Sequence, residues 1–186
     1  VFDTSSSIPP ERFAYAVNAL LPEDIAVVSS EEVPESWHPR YQTSVKTYEY
    51  RILNREMPDP LRRKYTWHVS FPLDIDKMRE AAEYLKGEHD FRSFCSIHTG
   101  AKTTVRTVYA LDIEKTGDEI VIRISGNGFL YNMVRIIAGT LAEAGRGFRA
   151  PDSVKKILEA EEREKSGATA PPQGLVLDSI RYGEAP

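Results

Sequence analysis

The sequence has almost no cysteine and no long apolar run. Its 186 residues contain one cysteine, Cys95, which excludes an intramolecular disulfide and any zinc site made of cysteines alone. No apolar segment approaches the ~18–20 residues that a membrane span requires, and no signal-peptide pattern is visible. These absences favour a soluble protein of a reducing compartment, and we expect it in the cytoplasm.

Several catalytic and cofactor motifs are also missing. No P-loop, no Gly-x-Gly-x-x-Gly and no Gly-x-Ser-x-Gly string occurs, so nucleotide binding at a glycine-rich loop and serine nucleophile chemistry gain no support. None of the histidines forms a metal-ligand pair at helical spacing; they are His38, His68, His89 and His98. We therefore expect no metal site, and we interpret Gly126-Asn127-Gly128 as a corner between strand and helix. His98 is expected in a polar loop, exposed or touching a partner.

The charge balance excludes a surface that is basic all over. There are 24 Lys and Arg against 28 Asp and Glu, a net charge of −4, so nucleic-acid binding would depend on a local basic patch. Two stretches offer one: Arg62-Arg63-Lys64, and Lys102 with Arg106. Each stretch taken alone is explained as well by ordinary solvated charge.

The spacing of apolar residues predicts an α+β fold, an antiparallel or mixed sheet with helices packed on it. Strands are expected at Val1–Thr4, Ile25–Val28, Lys46–Ile52, Tyr65–Val69, Val105–Ile113, Ile120–Ile124 and Leu175–Tyr182. Helices are expected around Phe13–Leu20, Ile75–Leu85, Leu130–Leu141 and Val154–Leu158.

Local signals predict how some of these elements begin, pair and end. Asp74 is a good N-cap and Gly87 a good left-handed C-terminal residue for the second helix. Lys46–Ile52 and Tyr65–Val69 are predicted to pair as a long-looped hairpin, and Val105–Ile113 with Ile120–Ile124 as a second hairpin. Ser166–Gly174, rich in Pro, Gly and Ala, is predicted to be a linker.

Three residues leave a choice between structure and function. Tyr48 and Tyr50 share one face of a predicted strand, where aromatic rings are usually core but serve as stacking platforms in nucleic-acid modules. Arg135 lies about 140° around its helix from the apolar stripe. It is therefore either exposed or, if buried, in need of a carboxylate or phosphate partner.

Several strings occur together in a recognisable order. Tyr-Glu-Tyr-Arg-Ile stands at 48–52, Leu-Lys-Gly-Glu-His-Asp-Phe-Arg-Ser-Phe at 85–94, and Gly-Phe-Leu-Tyr-Asn-Met-Val-Arg at 128–135. Asn-Ala-Leu-Leu-Pro-Glu-Asp-Ile-Ala-Val at 18–27, His-Pro-Arg-Tyr at 38–41 and Gly174-Leu175 add to them. In order and spacing the chain resembles the tRNA pseudouridine synthase A (TruA) family over essentially its whole length.

The resemblance implies the pseudouridine synthase fold and an isomerase that converts uridine to pseudouridine in the anticodon stem-loop of tRNA, without cofactor or metal. A flipped-out uridine would enter a cleft, at a cost of a few kcal/mol. Tyr48 matches the family's active-site tyrosine, which stacks on the base; whether its hydroxyl also transfers a proton is left open by the resemblance. Arg135 matches the arginine that pairs with the catalytic aspartate, and Leu175 the apolar residue against the base.

The resemblance also predicts what this chain does not contain. The family's catalytic aspartate belongs to an Arg-Thr-Asp-x-Gly-Val-His motif that comes shortly before the stretch matching Val1–Thr4, and no Arg-Thr-Asp occurs here. We therefore expect a C-terminal fragment, inactive by itself. Residues 1–45 would be the end of a first α+β subdomain and 46–186 a complete second one.

The resemblance also implies partners, and two rival functions remain open beside it. The family acts as a homodimer with tRNA lying across both subunits, so we expect self-association. Phosphate contacts are expected from Lys46, Arg51, Lys102 and Arg106. The rival of a different class is a non-catalytic RNA-binding α+β module, and a third is a ferredoxin-like regulatory domain for a small ligand, without tRNA affinity.

Overall fold

The chain divides into two compact units, Val1–Gln42 and Thr43–Pro186, in a computed structural model that describes residues 1–96 and 100–183. His98 lies outside the described residues. The predicted subdomain boundary after residue 45 concerns the family's architecture and stays a prediction.

The first unit contains little regular structure. One 3₁₀ turn, Pro10–Arg12, leads into a short helix, α1 (Phe13–Asn18). The Asn18 side chain holds the later part of the unit: its Nδ2 donates to the Val27 carbonyl and its Oδ1 accepts from the Val27 amide, both at 2.8 Å.

Two strand predictions in the first unit are wrong. Val1–Thr4 and Ile25–Val28 are apolar enough for strands, but neither is one. A strand needs a neighbour to pair with, and no other strand lies within the described residues of this unit. Several of their side chains are mostly exposed, Val28 at 95%.

The second unit contains the sheet and three further helices. Its elements are β1 (Ser44–Asn54), β2 (Trp67–Val69), α2 (Ile75–Glu83), β3 (Gly87–Asp90), β4 (Val105–Thr116), β5 (Glu119–Gly126), α3 (Met133–Arg146), α4 (Ser153–Ala160) and β6 (Leu175–Tyr182). With six strands and four helices among the described residues, the predicted α+β class is confirmed.

β1 is the central strand of the sheet. The order is β2-β1-β5-β4-β3, with β6 also paired to β1. Since β5 occupies one edge of β1 over Lys46–Leu53, β6 and β2 share the other: β6 pairs with Ser44–Tyr50 and β2 with Ile52–Asn54. All pairings are antiparallel except that of β1 with β2, so the sheet is mixed.

One of the two predicted hairpins is confirmed and the other is wrong. β4 and β5 pair as a tight antiparallel hairpin around Gly117, which has φ 58°. β1 and β2 instead run parallel, with Ile52 opposite Trp67. A parallel pair needs a crossover of about a dozen residues or more, and the ordered loop 55–66 supplies one.

The helices pack on the face of the sheet that carries the apolar alternation. The predicted Asp74 N-cap is confirmed, since its Oδ1 accepts from the amides of Asp76 and Lys77 at 3.1 and 3.2 Å. Gly87 has the predicted left-handed φ, 96°, but it begins β3, a strand that the sequence did not predict. One buried cluster joins α2, α3 and α4 to the strands, and Tyr50, Ile52, Ile122, Met133 and Ile137 belong to it.

The segment 166–171 is a packed part of the structure, which corrects its prediction as a linker. The amide of Gly167 donates to Thr140 Oγ1 at 2.9 Å, and that of Ala170 to the Arg135 carbonyl at 3.1 Å. The approach to α3 is so close that a Cβ on Gly139 would lie 1.9 Å from the Ala168 carbonyl oxygen. The segment is therefore fixed along α3.

No helix among residues 1–96 and 100–183 combines the length and the apolar character that crossing a membrane requires.

Candidate active site

Tyr48 lies in the middle of β1, on the face that the helices cover. Its ring meets that of Phe129 edge to face, with centroids 5.1 Å apart and planes at 82°. The side chain is half-buried, and burial raises the pKa of its phenol above the ordinary value. No residue in the described part of the chain accepts or donates a hydrogen bond at the Tyr48 hydroxyl. At neutral pH this hydroxyl therefore keeps its proton and is open to a ligand.

Tyr50, two residues further on the same face, is closed off instead. It is fully buried, and its hydroxyl donates to the Pro171 carbonyl at 2.6 Å. Burial raises the pKa of Tyr50, opposed in part by the positive charge of Arg135. For Tyr50 the structure favours the core of the two readings left open by the sequence, and its hydroxyl also anchors the segment that reaches Arg135.

Arg135 projects from the first turn of α3 towards that segment. Its Nε donates to the Ala170 carbonyl at 2.7 Å, and its Nη1 donates to Asn132 Oδ1 at 2.9 Å. The side chain is half-buried. No carboxylate lies within 4.0 Å of it in the part of the chain that the structure describes. Two neutral oxygens therefore hold the guanidinium, and no acidic side chain of the described residues offsets its charge.

Leu175 begins β6 beside these residues. It lies opposite Tyr50 in the antiparallel register, while Leu177 lies opposite Tyr48. Leu175 is half-buried and packs against the core cluster. The structure thus brings Tyr48, Leu175 and Arg135, predicted from separate parts of the sequence, to one side of the sheet around Tyr50 and the Ala170-Pro171 peptide.

Two of the predicted phosphate contacts lie at one end of the sheet, around the turn 126–128. Lys46 is opposite Gly126 in the β1–β5 register. A Cβ on Gly128 would be 3.5 Å from Nε of Arg106, so the Arg106 side chain lies over this turn. Neither cation forms an ion pair among the residues that the structure describes. Lys102 is exposed nearby along the chain.

Arg51, the fourth predicted contact, lies on the opposite face of β1. Successive side chains of a strand alternate between faces, so Glu49 and Arg51 point away from Tyr48. Nη2 of Arg51 is 2.8 Å from Glu49 Oε2, and Nε of Arg123 is 3.1 Å from Glu49 Oε1. These hydrogen bonds to Arg51 and Arg123 lower the pKa of Glu49.

Two open concavities of the described residues, of about 300 and 340 Å³, do not include Tyr48, Arg135 or Leu175. The first is lined by residues such as Leu111 and Glu114, and the second by residues such as Arg92 and Thr104. Nor do three or more His, Cys, Asp or Glu side chains of residues 1–96 and 100–183 gather where they could hold a metal ion.

Three residues that contact Tyr48 or Arg135 were missed by the sequence analysis. Phe129 and Asn132 stand inside the string 128–135 that marks the resemblance, but spacing alone does not reveal that one contacts Tyr48 and the other Arg135. Ala170 contributes only its backbone carbonyl, 35 residues from Arg135. No side-chain pattern could have indicated it.

Comparison with known proteins matches these observations. A family model described as tRNA pseudouridine synthase matches residues 81–183. The tRNA pseudouridine synthase A of Brevibacillus brevis is 50% identical over 181 residues, which cover 97% of this chain and 74% of that protein.

Two further relatives agree. The tRNA pseudouridine synthase A of Bacillus subtilis is also 50% identical, over 97% of this chain and 73% of its own. The tRNA pseudouridine synthase A 2 of Clostridium perfringens is 46% identical, over 97% and 74%. Sequence identity of 46–50% over most of this chain and of each relative means that the chain belongs to the tRNA pseudouridine synthase A (TruA) family of isomerases.

Proposed function

We propose that this chain forms part of the active site that isomerises uridine to pseudouridine in the anticodon stem-loop of tRNA. Family membership and the names of the relatives support the reaction and the substrate class. The observation that carries the assignment within the structure is Arg135. Among the described residues its half-buried guanidinium donates to neutral acceptors only, while Tyr48 and Leu175 lie on the same side of the sheet.

Arg135 serves to hold a catalytic carboxylate ionised. A carboxylate in a poorly solvated cleft gains a proton unless a fixed cation stabilises its charged form. Guanidinium does so in a planar, hydrogen-bonded geometry. Nε and Nη1 of Arg135 are engaged by Ala170 and Asn132, which leaves Nη2 to face the carboxylate.

Tyr48 and Leu175 act on the base. Isomerisation breaks the N1–C1′ glycosidic bond, turns the base and forms a C5–C1′ bond, after which C5 loses its proton and N1 gains one. Because burial raises its pKa, the Tyr48 phenol keeps its proton at neutral pH, and it has no hydrogen-bond partner among the described residues, so it is free to donate to the base. Leu175 supplies an apolar contact for the flipped ring.

The proposed carboxylate comes from outside the 186 residues, since no Arg-Thr-Asp occurs among them. We accordingly propose that these residues alone do not form pseudouridine, in line with the subdomain division at residues 45 and 46. The test is release of tritium from a tRNA transcript carrying C5-tritiated uridine. Catalytic release by the 186 residues alone would contradict this part of the proposal.

The tRNA backbone is proposed to lie along the end of the sheet near the turn 126–128. Lys46 and Arg106, both without acidic partners in the described part of the chain, are the strongest candidates for phosphate contacts, with Lys102 close to them. Arg51 is the weakest, because Glu49 already compensates its charge. A homodimer and a cytoplasmic location belong to the same proposal.

The decisive experiment replaces Arg135 by Ala in the active synthase, that is, in a protein that contains these 186 residues together with the proposed catalytic carboxylate. We expect pseudouridine formation to fall by about 1,000-fold or more, because an electrostatic partner worth several kcal/mol is removed from the reacting group. Binding of tRNA should change by less than about threefold. The matched control is Arg123→Ala, which removes an arginine already paired with Glu49 and should leave turnover per folded molecule unchanged.

The same experiment separates the synthase from the non-catalytic RNA-binding module. Wild-type turnover by Arg135→Ala would refute the role of Arg135. Retained tRNA binding without any pseudouridine formation by the wild-type synthase would favour the binding module.

A further inference from the structure

Asn132 has an unusual backbone conformation at the start of α3. Its φ of 62° and ψ of 6° are left-handed, and among the described residues only Glu161 is another non-glycine residue with positive φ. Left-handed backbone is disfavoured for residues with a Cβ, although Asn tolerates it better than most. Glycine would avoid this cost, so the side chain must account for asparagine here.

The Asn132 side chain does not cap its own helix. An N-cap side chain normally accepts from an amide of the first turn, but no such hydrogen bond is present. The helix nevertheless begins regularly, because the Ile136 amide donates to the Asn132 carbonyl at 2.9 Å. The side chain is therefore available for another task.

Among the described residues the Asn132 side chain forms two hydrogen bonds. Oδ1 of Asn132 accepts from Nη1 of Arg135 at 2.9 Å, and Nδ2 donates to Oγ of Ser96 at 3.0 Å. A guanidinium can only donate, so the orientation of the amide is fixed by its partners. Ser96 is itself tied to this corner, since its amide donates to the Tyr131 carbonyl at 3.2 Å.

We propose that Asn132 is the positioning residue for Arg135, a left-handed corner whose amide orients the guanidinium without neutralising it. This inference rests on the proposed function of Arg135. Together with the Ala170 carbonyl, the Asn132 amide fixes the guanidinium plane through two neutral oxygens. The full charge then remains for the external carboxylate.

The alternatives to asparagine at this position each lack one requirement. Glycine suits the backbone but offers no acceptor to Nη1. Aspartate suits the backbone and accepts from Nη1, but its charge competes with the catalytic carboxylate for the same guanidinium. Alanine has neither the acceptor nor the tolerance of left-handed backbone.

The test is Asn132→Gly in the active synthase. Because glycine relieves the backbone cost, the melting temperature should stay the same or rise. The single-turnover rate constant of pseudouridine formation should fall by about 100-fold, as expected when a reacting partner shifts by about 1 Å. The steady-state KM for tRNA should change less than about twofold. Wild-type turnover in Asn132→Gly would overturn the inference, and so would a loss explained entirely by unfolding.

Two variants sharpen the test. Glu161→Gly relieves the other left-handed residue, at the end of α4, and should leave turnover unchanged. Asn132→Asp should keep Arg135 ordered yet lose turnover at least tenfold, because the introduced carboxylate compensates its charge. Full turnover in Asn132→Asp would overturn the requirement for a neutral acceptor.

A readout independent of catalysis is the nitrogen-15 resonance of the Arg135 side chain, assigned by its disappearance in Arg135→Ala. In Asn132→Gly we expect faster solvent exchange at the guanidinium, and in Asn132→Asp protection like that of the wild type. If Arg135→Ala is inactive but Asn132→Gly matches the wild type in turnover and exchange, only the positioning role fails. If Arg135→Ala is fully active, the proposed function itself fails.

Discussion

The charged and polar groups on the two sides of β1 differ in whether they have partners within the chain. On one face the Glu49 carboxylate is buried and receives hydrogen bonds from Arg51 and Arg123, so its negative charge is compensated within the chain. On the other face Arg135 has neutral acceptors only, and the Tyr48 hydroxyl has no hydrogen-bond partner among the described residues.

This difference distinguishes a carboxylate that is paired within the chain, Glu49, from polar groups without such a partner among the described residues, Arg135 and the Tyr48 hydroxyl. The ion cluster stabilises the strand, and Glu49 offsets part of the charge of Arg51 and Arg123. The guanidinium of Arg135 is also held in place, by a carbonyl and an amide oxygen, but no acidic side chain of the described residues offsets its charge. Because side chains alternate along a strand, Glu49 points to one face of β1 while its neighbours Tyr48 and Tyr50 point to the other.

The largest expected effect outside Arg135 and Asn132 concerns the open hydroxyl. Tyr48→Phe should lower turnover by about 100-fold, the lower end of what a positioned proton-transfer group contributes. Stability should change by less than about 0.5 kcal/mol, since no hydrogen bond of the described chain is lost. The measurements are single-turnover tritium release and the urea midpoint.

The matched control for Tyr48→Phe is Tyr50→Phe, on the same face of β1. It removes the hydrogen bond to the partly buried Pro171 carbonyl and should cost about 1–2 kcal/mol of stability. If Tyr48→Phe were fully active, the ring of Tyr48 would serve for stacking alone and its hydroxyl would have no part in the chemistry.

The ion cluster around Glu49 is tested by Glu49→Gln. Two guanidinium groups lose their carboxylate, and we expect a loss of about 1–2 kcal/mol in the free energy of unfolding. The value lies below that of a fully buried pair because Arg51 and Arg123 are 43% and 45% exposed. Turnover per folded molecule should be unchanged. Glu114→Gln, an exposed carboxylate on β4, is the control and should change stability by less than about 0.5 kcal/mol.

The smallest effect is the acid dependence of that cluster. Hydrogen bonds from Arg51 and then Arg123 lower the pKa of Glu49 in the folded state. Its stabilising contribution is therefore complete above the unfolded pKa of about 4.3 and is lost as the pH falls through the lower folded value. The difference in urea midpoint between wild type and Glu49→Gln should shrink over this range. A difference that stays constant down to pH 2 would contradict the assignment.

Much of the fold follows from local sequence. The alternation in β1, the hairpin of β4 and β5, the Asp74 cap and the final strand β6 are all predicted within a residue or a few, because short-range periodicity and capping determine them. Elements that depend on a distant partner were predicted poorly. The parallel pairing of β1 with β2, the strand β3 and the absence of strands in Val1–Gln42 all depend on which neighbours are present.

By itself the sequence determined the α+β class, the family and the candidate residues Tyr48, Arg135 and Leu175, since these depend on residue type and order. Tertiary structure decided which polar groups are satisfied. The carbonyl of Ala170, the left-handed Asn132 and the burial of Glu49 leave no local pattern. Hydrogen bonds and desolvation depend on residues far apart in the chain. Their consequence here is an arginine without an acidic partner in the described part of the chain on one face of the sheet, and a carboxylate shared by two arginines on the other.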